Sequence, residues 1–316
     1  MSVFQDTACA CLFPASRKLV ARGVGMSRES TPRTAKFLTA ALLVFLAVAV
    51  PAASAPLRFG VFPQLSSRAI ADAYQPLADH LGESIGHPVG LESAKDYSTF
   101  HERTLTGEYD VVLTAPHMAW LAWKEGGYRP VLIYEEPAKG FVVVRADSAY
   151  HKLGDLRDKT IAIPDPNAVA NIRLARMLEK SGLSPGRRLT VAEVGTHGNA
   201  ATHVSENQAD AAVVGVYPFF QLSKAVRDKL RIIAGTPDLP GPVFLVHPRT
   251  TALREQEIRL AVEKFMHDEA GSVFLKKTGF GGVRALREAE LRQVEGDALE
   301  LKRRFQSQEN AAGTAR

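Results

Sequence analysis

Histidine and hydroxyl side chains stand at the ends of predicted strands in two short segments of this sequence. The proline turn Thr114-Ala-Pro-His117 presents Thr114 and His117 between a buried strand and a helix. Thr196 and His197 stand at the start of a later helix. Imidazole and hydroxyl groups donate hydrogen bonds, and the first N–H groups of a helix favour an anion. Both segments predict binding of a small polar or anionic ligand, with packing of His117 against the backbone as the alternative.

Amide and phenol groups follow three further predicted strands. Gln64 follows the first strand, where Ser66 and Ser67 are also suited to capping a helix. Tyr97 offers a ring wall and one hydroxyl, with surface packing as the alternative, and Tyr217 follows a later strand. Because α/β sheets bind ligands beyond the carboxyl ends of their strands, we expect these side chains to line one cleft.

The usual signatures of catalysis are missing from the sequence. It has no Gly-x-Ser-x-Gly elbow and no Gly-x-x-x-x-Gly-Lys phosphate loop, and its two cysteines, Cys9 and Cys11, precede the predicted mature chain. The histidines also lack the close spacing of a metal site. We therefore predict no enzymatic activity, no catalytic residue, no metal and no cofactor. An enzyme on the same fold is the alternative, since Asp96 and Asp165 could face each other across a cleft.

Strands and helices alternate from residue 57 onward, which is typical of an α/β protein with mostly parallel sheets. One helix has an apolar face with a period of 3.6 residues, formed by Ile70, Tyr74, Leu77, Ala78 and Leu81. The predicted strands are Leu57–Phe62, Val89–Ser93, Asp110–Thr114, Val131–Tyr134, Phe141–Arg145, Thr160–Ile163, Leu189–Glu193, Asp210–Gly215, Leu230–Ala234 and Val243–Val246.

Two segments, Ala138–Gly140 and Pro237–Pro242, precede apolar strands and predict two crossovers between lobes. Two crossovers return the chain to the first lobe for its last helices. The predicted division is a leader over 1–55, a first lobe over 56–141 and 243–305, a second lobe over 142–242, and a flexible tail over 306–316.

The N-terminal segment has the order of a secretory signal peptide. A 14-residue apolar run, Phe37–Val50, follows basic Arg33 and Lys36 and precedes the small residues Ala52–Ala55. The run is short for a membrane span, so we predict export to the periplasm, with an uncleaved anchor as the alternative.

The net charge of the chain falls once this leader is removed. The full sequence has 39 Lys and Arg against 34 Asp and Glu, a net charge of +5, and the leader carries six of the basic and two of the acidic residues. The remaining chain has a net charge of +1. A nearly neutral chain does not favour nucleic acid or an anionic membrane surface as a partner.

Four segments, in this order and spacing, resemble the periplasmic solute-binding proteins of the phosphate, phosphite and phosphonate uptake family. The resemblance covers nearly all of residues 57–250. It implies a two-lobed, type II periplasmic binding fold with the ligand in the cleft. The segments are Phe59–Pro63, Tyr109–His117, Tyr128–Pro130 and Leu156–Ile163.

The sequence departs from this family at the turn Pro164–Asn171, which starts the second lobe's first helix. Members that bind phosphonates have a turn rich in Ser and Thr there, whereas this turn has no hydroxyl. Asp165 would repel a dianion, and Asn167 and Asn171 remain as donors beside the helix N–H groups. An uncharged oxyacid, a smaller anion or a zwitterion is therefore as consistent with the turn as a phosphonate.

The resemblance implies a monomeric protein that closes on a small oxyanion or polar solute and delivers it to an ABC permease. Presentation of the solute to the periplasmic domain of a sensor kinase uses the same closure and is the alternative. In either case the chain contacts the membrane only through its partner.

Overall fold

The computed structural model describes residues 55–184, 186 and 188–314, which belong to one compact unit. The apolar run of the predicted signal peptide lies outside the described residues. Among the described helices none is both long enough and apolar enough to cross a membrane.

Strands in the described part of the chain form two sheets. The first has the order β11-β4-β10-β3-β1-β2 and the second the order β7-β6-β8-β5-β9. The strands are β1 (Leu57–Val61), β2 (Val89–Glu92), β3 (Val111–Thr114), β4 (Arg129–Tyr134), β5 (Gly140–Arg145), β6 (Lys159–Ile163), β7 (Leu189–Glu193), β8 (Ala211–Gly215), β9 (Leu230–Gly235), β10 (Val243–Val246) and β11 (Val283–Ala285).

Helices cover both sheets, and we call each sheet with its helices a lobe. The second lobe holds α4 to α7 and the first lobe holds the others. The helices are α1 (Ser67–Ile85), α2 (Tyr97–Leu105), α3 (Pro116–Lys124), α4 (Val169–Lys180), α5 (His197–Ser205), α6 (Val216–Gln221), α7 (Lys224–Arg227), α8 (Ala252–His267), α9 (Glu269–Thr278), α10 (Glu288–Arg292) and α11 (Glu295–Thr314), with a 3-10 helix at Leu153–Leu156.

Both sheets are mixed: most strands of each sheet run in one direction, as predicted, and β10, β11 and β5 run against them. β1 pairs in parallel with β2 and β3, but β10 pairs antiparallel with both β3 and β4, and β11 is antiparallel to β4. In the second sheet β6 is parallel to β7 and β8, while β5 is antiparallel to β8 and β9. β5 and β10 run against their neighbours because each enters its sheet from a crossover rather than from a helix.

Two crossover segments join the lobes, as the sequence predicted. Residues 135–139 run from β4 to β5, and residues 236–242 run from β9 to β10. The two segments pair antiparallel through Ala138 and Leu239, whose backbone hydrogen bonds are both 2.9 Å long. Pairing in the second sheet begins at Gly140, two residues before the predicted start of that lobe.

Local sequence patterns explain the core of the first lobe. All five residues of the predicted apolar face of α1 are buried, and the four residues of β3 are buried on both faces of the sheet. Gly60 in β1 leaves room for a ring, because a Cβ there would lie 2.7 Å from Cγ of Tyr109.

The last helix, α11, extends through Thr314, past residue 306, where the predicted tail begins. Phe305 is buried, and its ring stacks on His101 with centroids 4.7 Å apart. This stacking and the apolar residues before it give the helix a packed face, which the charged sequence around residue 306 did not suggest.

Helix α11 also reaches the second lobe through Asp297. This carboxylate is 2 % exposed and accepts hydrogen bonds from Arg173 at 2.8 Å and Arg176 at 2.5 Å, both on α4. We expect Asp297→Ala to lower the free energy of unfolding by about 2 kcal/mol, because two partly buried guanidinium groups lose their partner. Urea denaturation measures the change.

Glu300→Ala is the matched control for this prediction. Glu300 lies on the same helix but pairs with Arg303 and Arg304 of α11 itself, and its side chain is 28 % exposed. Glu300→Ala should lower the free energy of unfolding by less than about 1 kcal/mol. Equal losses from both variants would show that the contact between α11 and α4 contributes nothing of its own.

Candidate functional site

A cavity of about 50 Å³ lies where the carboxyl ends of strands from both lobes meet the two crossovers. The first lobe contributes Phe62, Gln64, Tyr97 and the Ala115-Pro116 turn. The second lobe contributes residues that follow β6, β7 and β8, and the crossovers supply the remaining wall. This is the position expected for a ligand site in an α/β fold.

Three helices begin at the cavity wall without a side-chain cap. The residues before α3, α4 and α6 are Ala115, Ala168 and Gly215, and none of them accepts a hydrogen bond from the helix that follows. Alanine and glycine have no side-chain acceptor, so the first N–H groups of α3 and α4 are left for another partner, whereas the Val216 N–H of α6 donates to the Lys139 carbonyl at 2.8 Å. The positive ends of the helix dipoles favour an oxyanion there.

Two buried polar side chains of the first lobe line this cavity. Gln64 is 4 % exposed, and its Nε2 donates to Oη of Tyr74 at 3.2 Å, which leaves its Oε1 without a partner among the described residues. Tyr97 is 3 % exposed, and no described residue forms a hydrogen bond with its hydroxyl. Burial raises the pKa of this phenol, so it remains a neutral donor.

His197 lines the cavity from the start of α5. Its ring accepts a hydrogen bond at Nδ1 from the N–H of Gly215, at 3.2 Å. Burial lowers the pKa of His197 to about 4, so the imidazole is neutral near pH 7. With Nδ1 acting as an acceptor, the single ring proton lies on Nε2, which can donate to a ligand.

Tyr217 also lines the cavity, but its hydroxyl already has a partner. Its Oη donates to the carbonyl of Glu136 in the first crossover at 2.5 Å, and its ring packs on Phe280 with centroids 4.3 Å apart. The residue therefore ties α6 to the crossover and gives the cavity a ring wall.

His117 does not line the cavity; it forms a hydrogen bond between the lobes. It is fully buried, and its Nε2 lies 2.9 Å from the carbonyl oxygen of Asn167. Its Nδ1 is buried with no partner in the described chain, and burial lowers its pKa to about 4. The neutral ring thus donates from Nε2 to the second lobe, which the Thr-Ala-Pro-His turn alone did not indicate.

Asp165 makes a second hydrogen bond between the lobes. One carboxylate oxygen accepts from the backbone N–H of Tyr97 at 3.2 Å, at the start of α2, and the other accepts from the N–H of Asn167 at 2.8 Å. Burial raises the pKa of this carboxyl, and Asp96 opposite it acts in the same direction. Asp96 and Asp165 therefore lie close enough for their charges to interact.

Four other predicted site residues lie outside the cavity wall. Asn171 donates from Nδ2 to the backbone carbonyl of Asp165 at 2.6 Å, and Asn167 contacts His117 through its carbonyl. Thr114 lies beneath the wall, with Oγ1 3.6 Å from Sδ of Met118. Thr196 caps α5 by accepting from the N–H of Asn199 at 3.1 Å.

Small and apolar residues form much of the wall, and the sequence analysis missed them. Phe62, Leu239 and Pro242 supply apolar surface, and Ala168 and Gly215 supply the uncapped helix starts. Small residues directly before a helix, where Ser, Thr, Asp or Asn usually stand, were the available signal. Among the described residues, no group of three His, Cys, Asp or Glu side chains is placed to hold a metal ion.

Comparison with known proteins identifies the family and the fold. Residues 59–291 match the family model described as the periplasmic substrate-binding protein of a phosphonate ABC transporter. A binding protein component of an ABC phosphonate transporter from Pseudomonas aeruginosa superposes with a TM-score of 0.70 at 16% identity, covering 78% of this chain and 87% of that chain.

Two further solved structures share the fold. The PhnD1 protein of Prochlorococcus marinus, in complex with methylphosphonate, has a TM-score of 0.70 at 12% identity and covers 78% of this chain and 98% of its own. The periplasmic aliphatic sulphonate binding protein of Escherichia coli has a TM-score of 0.53 at 15% identity, with coverages of 78% and 86%. The fold is therefore that of a type II periplasmic binding protein.

The family model spans most of the chain, and the solved relatives share its fold. A permease of an ABC transporter is accordingly its partner, and a small molecule is its cargo. The chain belongs to the family of periplasmic substrate-binding proteins of phosphonate ABC transporters.

Proposed function

We propose that this protein binds a small oxyanion of about four or five non-hydrogen atoms in the interlobe cavity and delivers it to an ABC permease. The observation that carries the proposal is the pair of uncapped helix starts, those of α3 and α4, at the cavity wall. Their N–H groups supply donors that have no acceptor within the first helical turn.

The cavity volume limits the size of the ligand. A cavity of about 50 Å³ suits a compact ligand with few non-hydrogen atoms rather than an extended one. Phosphite, phosphate, methylphosphonate and methanesulfonate are of this kind. The crystallised relatives from Prochlorococcus marinus and Escherichia coli, named for methylphosphonate and aliphatic sulphonate, support the same class.

Side chains on both lobes complete the proposed site. Tyr97 from the first lobe has a hydroxyl that the described residues leave unused, and His197 from the second lobe lines the same cavity, with its imidazole also in contact with the Val213 backbone. A ligand that contacts both side chains favours the closed arrangement of the lobes, because it gains the second contact only there.

A thermal-shift screen of the purified protein tests this function. Phosphite, phosphate, methylphosphonate and methanesulfonate are compared with bulkier aminoalkylphosphonates and with amino acids. A ligand at about a hundred times its dissociation constant adds about 2.7 kcal/mol of stability, which is a readable shift. We expect at least one of the four small oxyanions to stabilise the protein more than any bulkier compound. Stabilisation by amino acids alone would contradict the proposal.

Tyr97→Phe should weaken the tightest ligand about tenfold, because one hydrogen bond to a charged group is worth roughly 1.4 kcal/mol or more. Tyr150→Phe is the matched control, since the Tyr150 hydroxyl donates to Asp210 at 2.9 Å, away from the cavity. Isothermal titration calorimetry gives both affinities. Unchanged binding by Tyr97→Phe would remove this phenol from the site.

The proposal also covers the location of the protein, its output and its oligomeric state. Export through the predicted signal peptide over residues 1–55 places the protein in the periplasm, where a binding protein of this family meets its permease. The family's transport role supports delivery over presentation to a sensor kinase, and binding without turnover over an enzyme. We propose a monomer, because closure of two lobes around a cavity needs no second copy.

A further inference from the structure

We infer that the interlobe cavity binds its ligand as a monoanion, and that the carboxylate of Asp165 makes it discriminate against a dianion of the same shape. The inference rests on the proposed function, because it specifies the charge of the oxyanion that the cavity accepts. It is argued from the balance of charges around the cavity wall.

No side chain on the cavity wall offers an unpaired cation. Lys139 lies on this wall, but its Nζ is 2.6 Å from Oδ1 of Asp238, so it is already paired with a carboxylate. His197 is neutral because burial lowers its pKa to about 4. Within the described part of the chain, the wall contains no arginine.

The helix dipoles supply about one unit of positive charge. Helices α3 and α4 have nine and 12 residues and begin at the wall without side-chain caps. Each helix N-terminus is equivalent to roughly half an elementary charge. Two such ends balance a ligand with one negative charge and leave the second charge of a dianion uncompensated.

Asp165 adds negative charge next to this site. It is 8 % exposed and accepts from the backbone N–H of Tyr97, whose side chain lines the cavity. The charged groups that act on Asp165 from α2 and from β7 are Asp96 and Glu193, both acidic. Asp165 therefore places a negative charge beside Tyr97, a residue of the cavity wall.

Neighbouring elements do not neutralise this carboxylate. From α11, Arg304 donates to the carbonyl of Pro166 at 2.7 Å and pairs with Glu300 at 3.1 Å. From α3, the buried His117 is neutral and donates to the Asn167 carbonyl. The partners of the carboxylate itself are two backbone N–H groups, those of Tyr97 and Asn167.

The apolar part of the wall indicates which face of the ligand lacks oxygens. Phe62, Leu239 and Pro242 have apolar side chains on the cavity wall, while the uncapped helix starts lie on α3 and α4. A compact oxyacid with one small alkyl group matches both surfaces. Methanesulfonate and singly ionised methylphosphonate have this form and the same number of non-hydrogen atoms.

Calorimetric titration of the purified protein with these two compounds tests the inference. Methanesulfonate stays a monoanion, whereas methylphosphonate loses its second proton between about pH 5.5 and about pH 8.5. We expect the dissociation constant of methanesulfonate to change less than about threefold between these pH values, and that of methylphosphonate to rise at least about tenfold. Methanesulfonate controls for any titration of the protein itself.

The variant Asp165→Asn supplies an independent test of the inference. An amide oxygen can still accept from the Tyr97 N–H, so the variant removes charge while keeping an acceptor. It should improve methylphosphonate affinity at about pH 8.5 by at least about fivefold and change methanesulfonate binding less. Glu102→Gln, an exposed residue of α2, is the matched control and should leave both affinities unchanged.

The outcomes separate this inference from the proposed function. Equal or tighter binding of methylphosphonate at the higher pH, or binding of methylphosphonate without methanesulfonate, overturns the monoanion inference and leaves the small-oxyanion function intact. Failure of every small oxyanion in the thermal-shift screen overturns both.

Discussion

Ala115→Leu is expected to abolish ligand binding, with a loss of at least about 100-fold in affinity, while the protein stays folded. Ala115 lines the cavity and precedes α3 with φ −64° and ψ 149°, values that any L-residue adopts. Three added carbon atoms would occupy most of a space of about 50 Å³. Calorimetry with the tightest oxyanion measures the loss.

Ala115→Ser is the matched control, because it adds one small atom at the same backbone position. It should bind within about tenfold of the unaltered protein. Circular dichroism and the unfolding midpoint show whether each variant is folded. A leucine variant that folds and binds normally would place the ligand outside this cavity.

Acidification from about pH 6.5 toward pH 4 is expected to lower the free energy of unfolding by about 4 kcal/mol per pH unit at most. Burial lowers the pKa of three histidines to about 4, namely His101, His117 and His197. The unfolded chain binds protons at its histidines near pH 6.5, before the folded protein does. The stability that the three neutral histidines give the folded protein is thus complete above pH 6.5. It is lost as the pH falls, at about 1.4 kcal/mol per pH unit for each histidine.

Urea denaturation between about pH 7 and about pH 5 measures this dependence. His117→Asn should reduce the slope by about one third, since one of the three buried imidazoles is gone. His267→Asn changes an exposed histidine at the end of α8 and should keep the slope. An unchanged slope in the His117 variant would mean that its ring is accessible to protons in the folded protein.

Elements whose signals are local were predictable from the sequence. The apolar face of α1 and the buried run of β3 follow from periodicity within a few residues. The crossovers were predictable because proline and glycine segments precede two apolar strands. The mixed sheets were not, because the pairing of β10 with β3 and β4 joins residues more than 100 positions apart.

The site residues that directly follow a strand were predictable, because the carboxyl ends of the strands in a lobe lie at one edge of its sheet. Gln64, Tyr97, His197 and Tyr217 line the cavity for this reason. His117 was predicted as a ligand donor, but its partner is a backbone carbonyl 50 residues along the chain, and nothing in the sequence marks that carbonyl.

Asp165 shows how a departure from a family's pattern can be recognised before its role is known. Its place in a turn without hydroxyls was evident from the sequence. Its contact with the N–H of Tyr97, 68 residues away, depends on how the two lobes meet. The same carboxylate therefore acts both as a contact between the lobes and as a charge beside the cavity.

The central claim is that a small oxyanion binds at the uncapped helix starts between the lobes. A crystal structure of the protein grown with the tightest oxyanion from the thermal-shift screen tests it most directly. The account predicts ligand oxygens about 2.7–3.2 Å from the N–H groups at the start of α4, from Oη of Tyr97 and from Nε2 of His197. Ligand density elsewhere, with these donors bound only to water, would contradict it.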